Sequence, residues 1–358
     1  MKKADFILSL QEFMTRSPSI VADGSERLVF ISDLHLGDGS SRDEGLRNEE
    51  LLIAALELFY YENGYTLVLN GDVEELFRFE FTEILAAHSR LFAIFDRFQK
   101  DGRLWMLVGN HDLAILTLEN PPWPLNHALR IEHPEGIILA YHGHQSSSFY
   151  VRYHYMSDFL VRYLAHPLRI RNLDRPMTNK RRLGTERRIY QASRALRIAS
   201  ITGHTHRPLF ESLGTYDYLR FSLERLIIEY GKAEDEAKGV LEREIRFHAE
   251  EIRRMAAHSR RRSARSLYDR DGVAVPCLFN SGSTIGRHGF TALELKGGAI
   301  SLVYWTKPGA VRAWINHESI GRFGLYAEHR TNHGEDAIRY LIRKETLSSV
   351  FTRIRLLS

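Results

Sequence analysis

Short apolar runs recur along this chain, and five of them end on a cluster of aspartate, asparagine, glycine or histidine; no other feature constrains the fold as much. Residues 28–31 lead into Ser32-Asp33-Leu34-His35, and residues 66–69 into Asn70-Gly71-Asp72-Val73-Glu74. Residues 104–108 lead into Gly109-Asn110-His111-Asp112, residues 137–141 into His142-Gly143-His144, and residues 198–202 into Gly203-His204-Thr205-His206. The runs have the length and β-branched content of buried strands. Open α/β sheets hold their ligands outside the carboxyl ends of the strands, so the five clusters are expected to converge on one edge.

Between the early runs the apolar period changes from two to between three and four. Residues 49–61 place Leu52, Ala55, Leu56 and Phe59 on one helical face, and residues 81–100 do the same with Ile84, Leu85, His88, Leu91, Phe92 and Phe95. Strand and helix alternate, which predicts an α/β layered core. A sixth run, residues 274–279, ends on Asn280-Ser281-Gly282-Ser283. Residues 290–295 and 300–305 then read as antiparallel strands around Lys296-Gly297-Gly298, where the core is expected to close. The domain is thus read as 1–305. Residues 306–358 are an extension packed on it, with helical character around 336–344.

Two stretches interrupt the order. Residues 145–193 are aromatic and basic, with Phe149, Tyr150, Tyr153, Tyr155, Phe159 and Tyr163 followed by eight arginines and lysines from Arg169 to Arg188, and they read as a helical cap. Residues 212–271 read as a charged helical insertion. In it Leu241, Ile245, His248, Ile252 and Met255 alternate spacings of four and three, the stripe of a helix that needs a partner surface. The parent domain is the first candidate for that surface and a homodimer the second.

Composition removes several classes. One cysteine, Cys277, cannot close an intrachain disulfide, and it lies in an apolar run as a small buried hydrophobe. A reducing, cytoplasmic setting is expected. The first residues lack the apolar stretch of a signal peptide, and no run approaches the roughly 18 apolar residues of a membrane span. A net charge of +4 does not define a nucleic-acid binder.

The clusters can do metal chemistry. Asp33 and His35, one residue apart at a strand end, point to the same side and can reach one ion together. Gly71 lets the chain turn tightly and brings the Asp72 carboxylate between two sites. Asn110 offers an amide oxygen, and His142, His204 and His206 offer ring nitrogens. Mixed nitrogen and oxygen donors without thiolate suit manganese, iron, zinc or cobalt. Two such cations sharing a carboxylate lower the proton affinity of a water between them and hold phosphoryl oxygens during in-line displacement. His111 falls outside this donor set. It can stabilise developing charge or protonate a leaving oxygen, with Asp112 expected to orient its ring. His144 reads as a supporting residue and His88 as a core histidine; His133, His154, His166 and His288 have no motif around them.

Taken in order, Asp33-Leu34-His35, Gly71-Asp72, Gly109-Asn110-His111-Asp112, His142-Gly143 and Gly203-His204-Thr205-His206 resemble the five motifs of calcineurin-like metallophosphoesterases. The resemblance runs over residues 28–305, apart from the two interruptions. It implies a four-layered α/β/β/α sandwich with helical cap insertions. It further implies Asp33, His35, Asp72 and His206 around one divalent metal, and Asp72, Asn110, His142 and His204 around a second, with manganese the first choice. His111 takes the catalytic-acid role. The implied activity is hydrolysis of a phosphate ester or pyrophosphate by a hydroxide bridging the metals.

By layout the chain looks most like the UDP-diacylglucosamine hydrolases, in which a helical, aromatic and basic cap also follows the His-Gly motif. It departs from them in carrying His111 where they have arginine, and in the insertion 212–271. The expected partner is a phosphorylated small molecule or lipid, with the cap arginines available to an anionic membrane surface and no nucleic acid. A catalytically silent scaffold is the reading from another class, and the intact set of candidate ligands argues against it.

Overall fold

Parallel strands cannot be joined by a tight hairpin and need a crossover. The early helical segments supply it. The computed structural model describes residues 3–147, 179–213, 215–258, 274–307, 330–332 and 337–358. The chain opens on α1 (Lys3–Arg16) and the short strand β1 (Ser19–Val21), then enters β2 (Arg27–Ile31). Helix α2 (Glu49–Ala55) continues as π-helical turns over Leu56–Tyr61 and delivers β3 (Thr66–Asn70). The helix expected over residues 81–100 is two helices, α3 (Phe81–Ala87) and α4 (Ser89–Lys100), broken where His88 leaves the helical region at ψ 27°. Strands β4 (Leu104–Leu107) and β5 (Leu125–Asn126) follow, and β2, β3, β4 and β5 all pair in parallel.

A second sheet is built from β1, β6 (Ala128–His133), β7 (Gly136–Tyr141), β8 (Ala199–Thr202) and β9 (Leu278–Asn280), in the order β1-β6-β7-β8-β9. Here β7, β8 and β9 run parallel, with helix α5 (Asn179–Leu196) as the crossover into β8. In the insertion, α6 (Thr215–Lys232) and α7 (Asp235–His258) pack on each other. The neighbouring helix of the same insertion is thus a surface on which α7 packs.

Strands β10 (Gly289–Lys296) and β11 (Ala299–Thr306) form the expected hairpin, and β10 pairs antiparallel with β2. The core does not close there. Of residues 336–344, expected as helix, 338–344 belong to strand β13 (Ile338–Thr346), which pairs antiparallel with β11 and is itself flanked by β12 (Arg330–Asn332). The eight-stranded sheet thus has the order β12-β13-β11-β10-β2-β3-β4-β5. The local sequence tolerates a helix, but the free edge of β11 supplies backbone partners and an apolar face that take Ile338, Tyr340 and Leu341 out of water. Helix α8 (Leu347–Leu357) ends the chain, with Thr346 capping it by accepting from the Ser349 amide, and Val350, Phe351 and Ile354 buried.

The protein is therefore a mixed α/β fold with two mixed sheets. Strand alternation divides the apolar residues. Val29, Ile31, Leu67, Leu69 and Met106 join α2 and α4 in one cluster. Leu28, Phe30, Val68 and Leu107 join the second sheet, α1, α5 and α8 in the other. Residues 148–178, which hold the aromatic part of the expected cap, lie outside the described residues. The end of that cap is core rather than cover, since Ile189, Tyr190 and Ala192 of α5 are buried. Among the described residues no helix is long and apolar enough to cross a membrane.

Candidate metal centre

The carboxyl ends of β2, β3 and β4 meet those of β7, β8 and β9, and the clusters following them form one site. The Asp33 amide donates to the Gly71 carbonyl at 3.0 Å, and the Gly203 amide to the His142 carbonyl at 2.9 Å. Each bond joins neighbouring strand ends within a sheet. The two sheets are joined when the His204 amide donates to Asp33 Oδ1 and Oδ2 at 3.1 and 3.0 Å. Ser32 Oγ adds a second link, lying 2.7 Å from Ser281 Oγ while hydrogen-bonding Asp33 Oδ2.

Backbone conformation at the site is unusual for side-chain-bearing residues. Asp33, His35, Asp72, His204 and His206 all have positive φ, between 48° and 65°. The left-handed region costs a non-glycine residue roughly 1–2 kcal/mol, and such strain persists where the surroundings over-determine it. Two glycines make room. A Cβ on Gly71 would lie 2.5 Å from His142 Nδ1, and a Cβ on Gly109 would overlap the Asp72 backbone nitrogen and carboxylate.

Donor atoms of Asp33, His35, Asp72 and His206 lie within 4.8 Å of one another, and so do those of Asp72, His142 and His204. Asp72 belongs to both groups. Asp33, Asp72 and His142 form the buried floor, whereas His206 and His111 keep 25% and 18% of their side chains exposed and stand at the mouth. Asn110 sits on the turn whose next residue, His111, donates its amide to Asp72 Oδ1 at 2.8 Å. All seven residues expected as ligands thus lie on the loops where the strand ends of the two sheets meet.

Tautomers follow from the partners. A carboxylate only accepts, so His35 donates Nδ1–H to Glu75 Oε2 at 2.9 Å and aims Nε2 at His206 Nε2, 3.1 Å away. A carbonyl only accepts, so His142 donates Nδ1–H to the Asn70 carbonyl at 2.9 Å and aims Nε2 at Asp72 Oδ2, 3.0 Å away. Likewise His206 Nε2 faces Asp33 Oδ1 at 3.1 Å. Nitrogen lone pairs and carboxylate oxygens facing each other at these distances repel unless a proton or a cation lies between them. Burial resists charge on His142, but Asp72 and Asp33 outweigh it and hold its proton up to about 9. Burial likewise resists charge on Asp72, and the imidazoles of His142, His111 and His35 outweigh it and keep the carboxyl well below its usual range. The same attraction favours a metal ion, and fixing the outer ring nitrogen is how metal-ligating histidines are held. These His/Asp groups fit metal ions.

Asp112 does not orient His111. Its carboxylate accepts from the Val73 amide at 2.9 Å and from the Gly109 amide, so it fastens the β3 loop to the β4 loop. Burial and then Asp72 raise it to about 7. The residue that orients His111 is Glu75, which accepts from His111 Nδ1 at 2.8 Å through Oε1 while Oε2 takes His35. Burial opposes its ionisation, but those two histidines lower it to about 2. Glu75 went unread in the sequence because it lies three residues beyond Asp72, on a loop whose path the sequence does not define. The spacing Gly71-Asp72-x-x-Glu75 is the signal that was there to find. His144 is buried beside His142 and His204, with ring centroids 5.5 and 6.4 Å away, as a supporting residue would be. His88 is no apolar-face histidine; it is clamped between Asp43 and Glu49 at 2.8 Å each.

None of the protein-family models, curated proteins or solved structures compared with the chain matches it.

Proposed function

We propose that the chain is a metal-dependent phosphoesterase of the calcineurin-like type, acting on a phosphate ester or a pyrophosphate. The observation that carries this reading is the pair of carboxylate–imidazole groups sharing Asp72, with His111 beside them on Glu75. Asp33, His35, Asp72 and His206 would hold one divalent ion, and Asp72, Asn110, His142 and His204 the other, with manganese the first choice and iron, zinc or cobalt compatible with the same donors. An α/β/β/α layering belongs to the same proposal and is supported by the two apolar clusters either side of the eight-stranded sheet.

Two such ions supply Lewis acidity toward phosphoryl oxygens and make water a nucleophile near neutral pH. The chain's own residues do the rest. Asp72 holds the two halves of the site in register, with its Oδ1 pinned by the His111 amide. Because Glu75 engages His111 Nδ1, the Nε2 edge is the one that would face a substrate, and a proton delivered from it would neutralise the leaving oxygen. Phe77, with its ring 4.8 Å from that of His111, shields one side of the imidazole from water. In the balanced reaction the water oxygen bonds to phosphorus, the ester P–O bond breaks, and one hydrogen of the water ends on the leaving oxygen.

The expected substrate is a phosphorylated small molecule or lipid. Elemental analysis of the purified chain, run beside hydrolysis of para-nitrophenyl phosphate, bis-para-nitrophenyl phosphate and UDP-diacylglucosamine with added manganese, tests the reading. About two metals per chain with turnover is the expected result. Well-folded protein that takes up neither metal nor substrate would overturn it in favour of a silent scaffold.

A further inference from the structure

The imidazoles of the candidate centre are not all held in the same way. His35 Nδ1 donates to Glu75 and His142 Nδ1 to the Asn70 carbonyl, each at 2.9 Å, so both rings are fixed from behind. His206 faces Asp33 and His35 through Nε2, and among the described residues no hydrogen bond holds its Nδ1. Its ring is therefore placed by its backbone. That backbone is left-handed, with φ 54°, a conformation that persists only where the surroundings impose it.

The surroundings that impose it converge on one carboxylate. Glu186 of α5 is 1% exposed and accepts from the Thr205 hydroxyl at 2.9 Å and from Arg207 through Nε at 3.0 Å, with a second, shorter contact from Nη2. Thr205 and Arg207 flank His206, so Glu186 spans it, bonding the residue before and the residue after. A carboxylate in a guanidinium fork forms short, strong and directional bonds. The helix beneath is itself fixed: Ser193, two turns further along α5, is buried with its Oγ 2.7 Å from Ser200 Oγ of β8.

The stretch before Thr205 has other anchors. Asn280 Nδ2 donates to the Gly203 carbonyl at 2.6 Å, and the His204 amide donates to both oxygens of Asp33. His204 is thus fastened independently of Glu186, whereas His206 is not.

We infer that Glu186 is a positioning residue for His206, and that through this ring it sets the affinity of the ion at Asp33, His35, Asp72 and His206 while leaving the ion at Asp72, Asn110, His142 and His204 to its own anchors. The inference rests on the two-ion reading above.

The test is stepwise manganese binding by calorimetry, with elemental analysis, on wild type, Glu186→Gln, Ser193→Ala and His206→Ala. Glu186→Gln keeps the shape and an oxygen for Thr205 but sets an amide group against Arg207. It is expected to weaken one ion by about tenfold or more, the size of effect seen when the support behind a metal ligand is lost, and to leave the other near its wild-type affinity. His206→Ala identifies that ion by losing the same binding step. Ser193→Ala, which removes a buried bond of the same helix away from the loop, is expected to lower the melting temperature and keep both ions. Folded Glu186→Gln that binds both ions as wild type does, or weakens both alike, overturns the inference; so does Ser193→Ala losing the same ion, which would make the effect one of general stability. Failure of the two-ion reading shows separately, as wild type that does not bind two ions, and failure of the phosphoesterase reading as metal-loaded wild type that hydrolyses neither para-nitrophenyl substrate.

Discussion

Glu75 accepts the Nδ1 proton of His111 at 2.8 Å on one oxygen and that of His35 at 2.9 Å on the other. One carboxylate therefore aims both the proposed acid and a proposed ligand. Glu75→Gln, which can accept only one of these bonds well, is expected to weaken metal affinity and lower turnover together, each by about 10- to 100-fold. His111→Ala is expected to keep its metals and lose about 10²–10⁴ in kcat. Metal titration and steady-state kinetics on the two variants separate the effects; an Glu75→Gln chain with wild-type metal affinity would remove Glu75 from the ligand scaffold.

Asp72 is the one carboxylate common to both donor groups. Asp72→Ala should abolish turnover and reduce metal content from about two ions to fewer than one per chain. Full metal occupancy in this variant, measured by elemental analysis, would show that the carboxylate does not bridge.

Gly109→Ala sets a methyl group against the Asp72 backbone nitrogen, which no rotamer change can relieve. Overpacking of this kind costs about 1–3 kcal/mol. Denaturant unfolding should report that loss, and activity should fall further than stability because Asp72 is the residue displaced.

His88 lies fully buried between Asp43 and Glu49, and although burial disfavours its charge, those two acids raise it to about 9. Its unfolded value is about 6.5. The folded state thus holds the proton more tightly, so the clamp contributes fully below about pH 6.5 and its contribution is lost as pH rises through about 9. Unfolding free energy of the wild type should fall across that window by on the order of 3 kcal/mol relative to His88→Gln. Parallel pH profiles for the two proteins would sink this assignment.

Arg339 of β13 reaches past β11 to Glu294 of β10, bonding it through Nε at 3.0 Å and Nη2 at 2.5 Å. Tyr60 also donates to Glu294 at 2.8 Å, and Trp305 donates to Tyr60 at 2.9 Å. Arg339→Ala leaves a buried carboxylate short of its counter-charge and is expected to destabilise the fold by about 3–5 kcal/mol. Thermal and urea unfolding measure it. A neutral result would mean that β13 is held by its backbone ladder alone.

Much of the site was legible along the chain because its signals are local. Apolar runs of strand length, each stopping at an Asp, Asn or His cluster with glycine beside it, mark where ligands leave a sheet, and glycine is required where Gly71 and Gly109 let His142 and Asp72 approach. Asp33, His35, Asp72, Asn110, His111, His142, His204 and His206 could therefore be named from residue type and position. What local pattern cannot encode is which strand end meets which. The bond from His204 to Asp33 joins two sheets across 171 residues, and the choice of Glu75 over Asp112 as the partner of His111 depends on how the β3 and β4 loops dock. The left-handed backbone at Asp33, His35, Asp72, His204 and His206 is strain that local propensity would avoid, and only the packed surroundings hold it. Strand β13 differs from the helix expected there for the same reason: the open edge of β11, which lies outside any local window around residues 338–346, decides their conformation. Residue chemistry was thus determined by the sequence alone, whereas pairing, orientation and strain were decided by tertiary contacts whose free energy no short window contains.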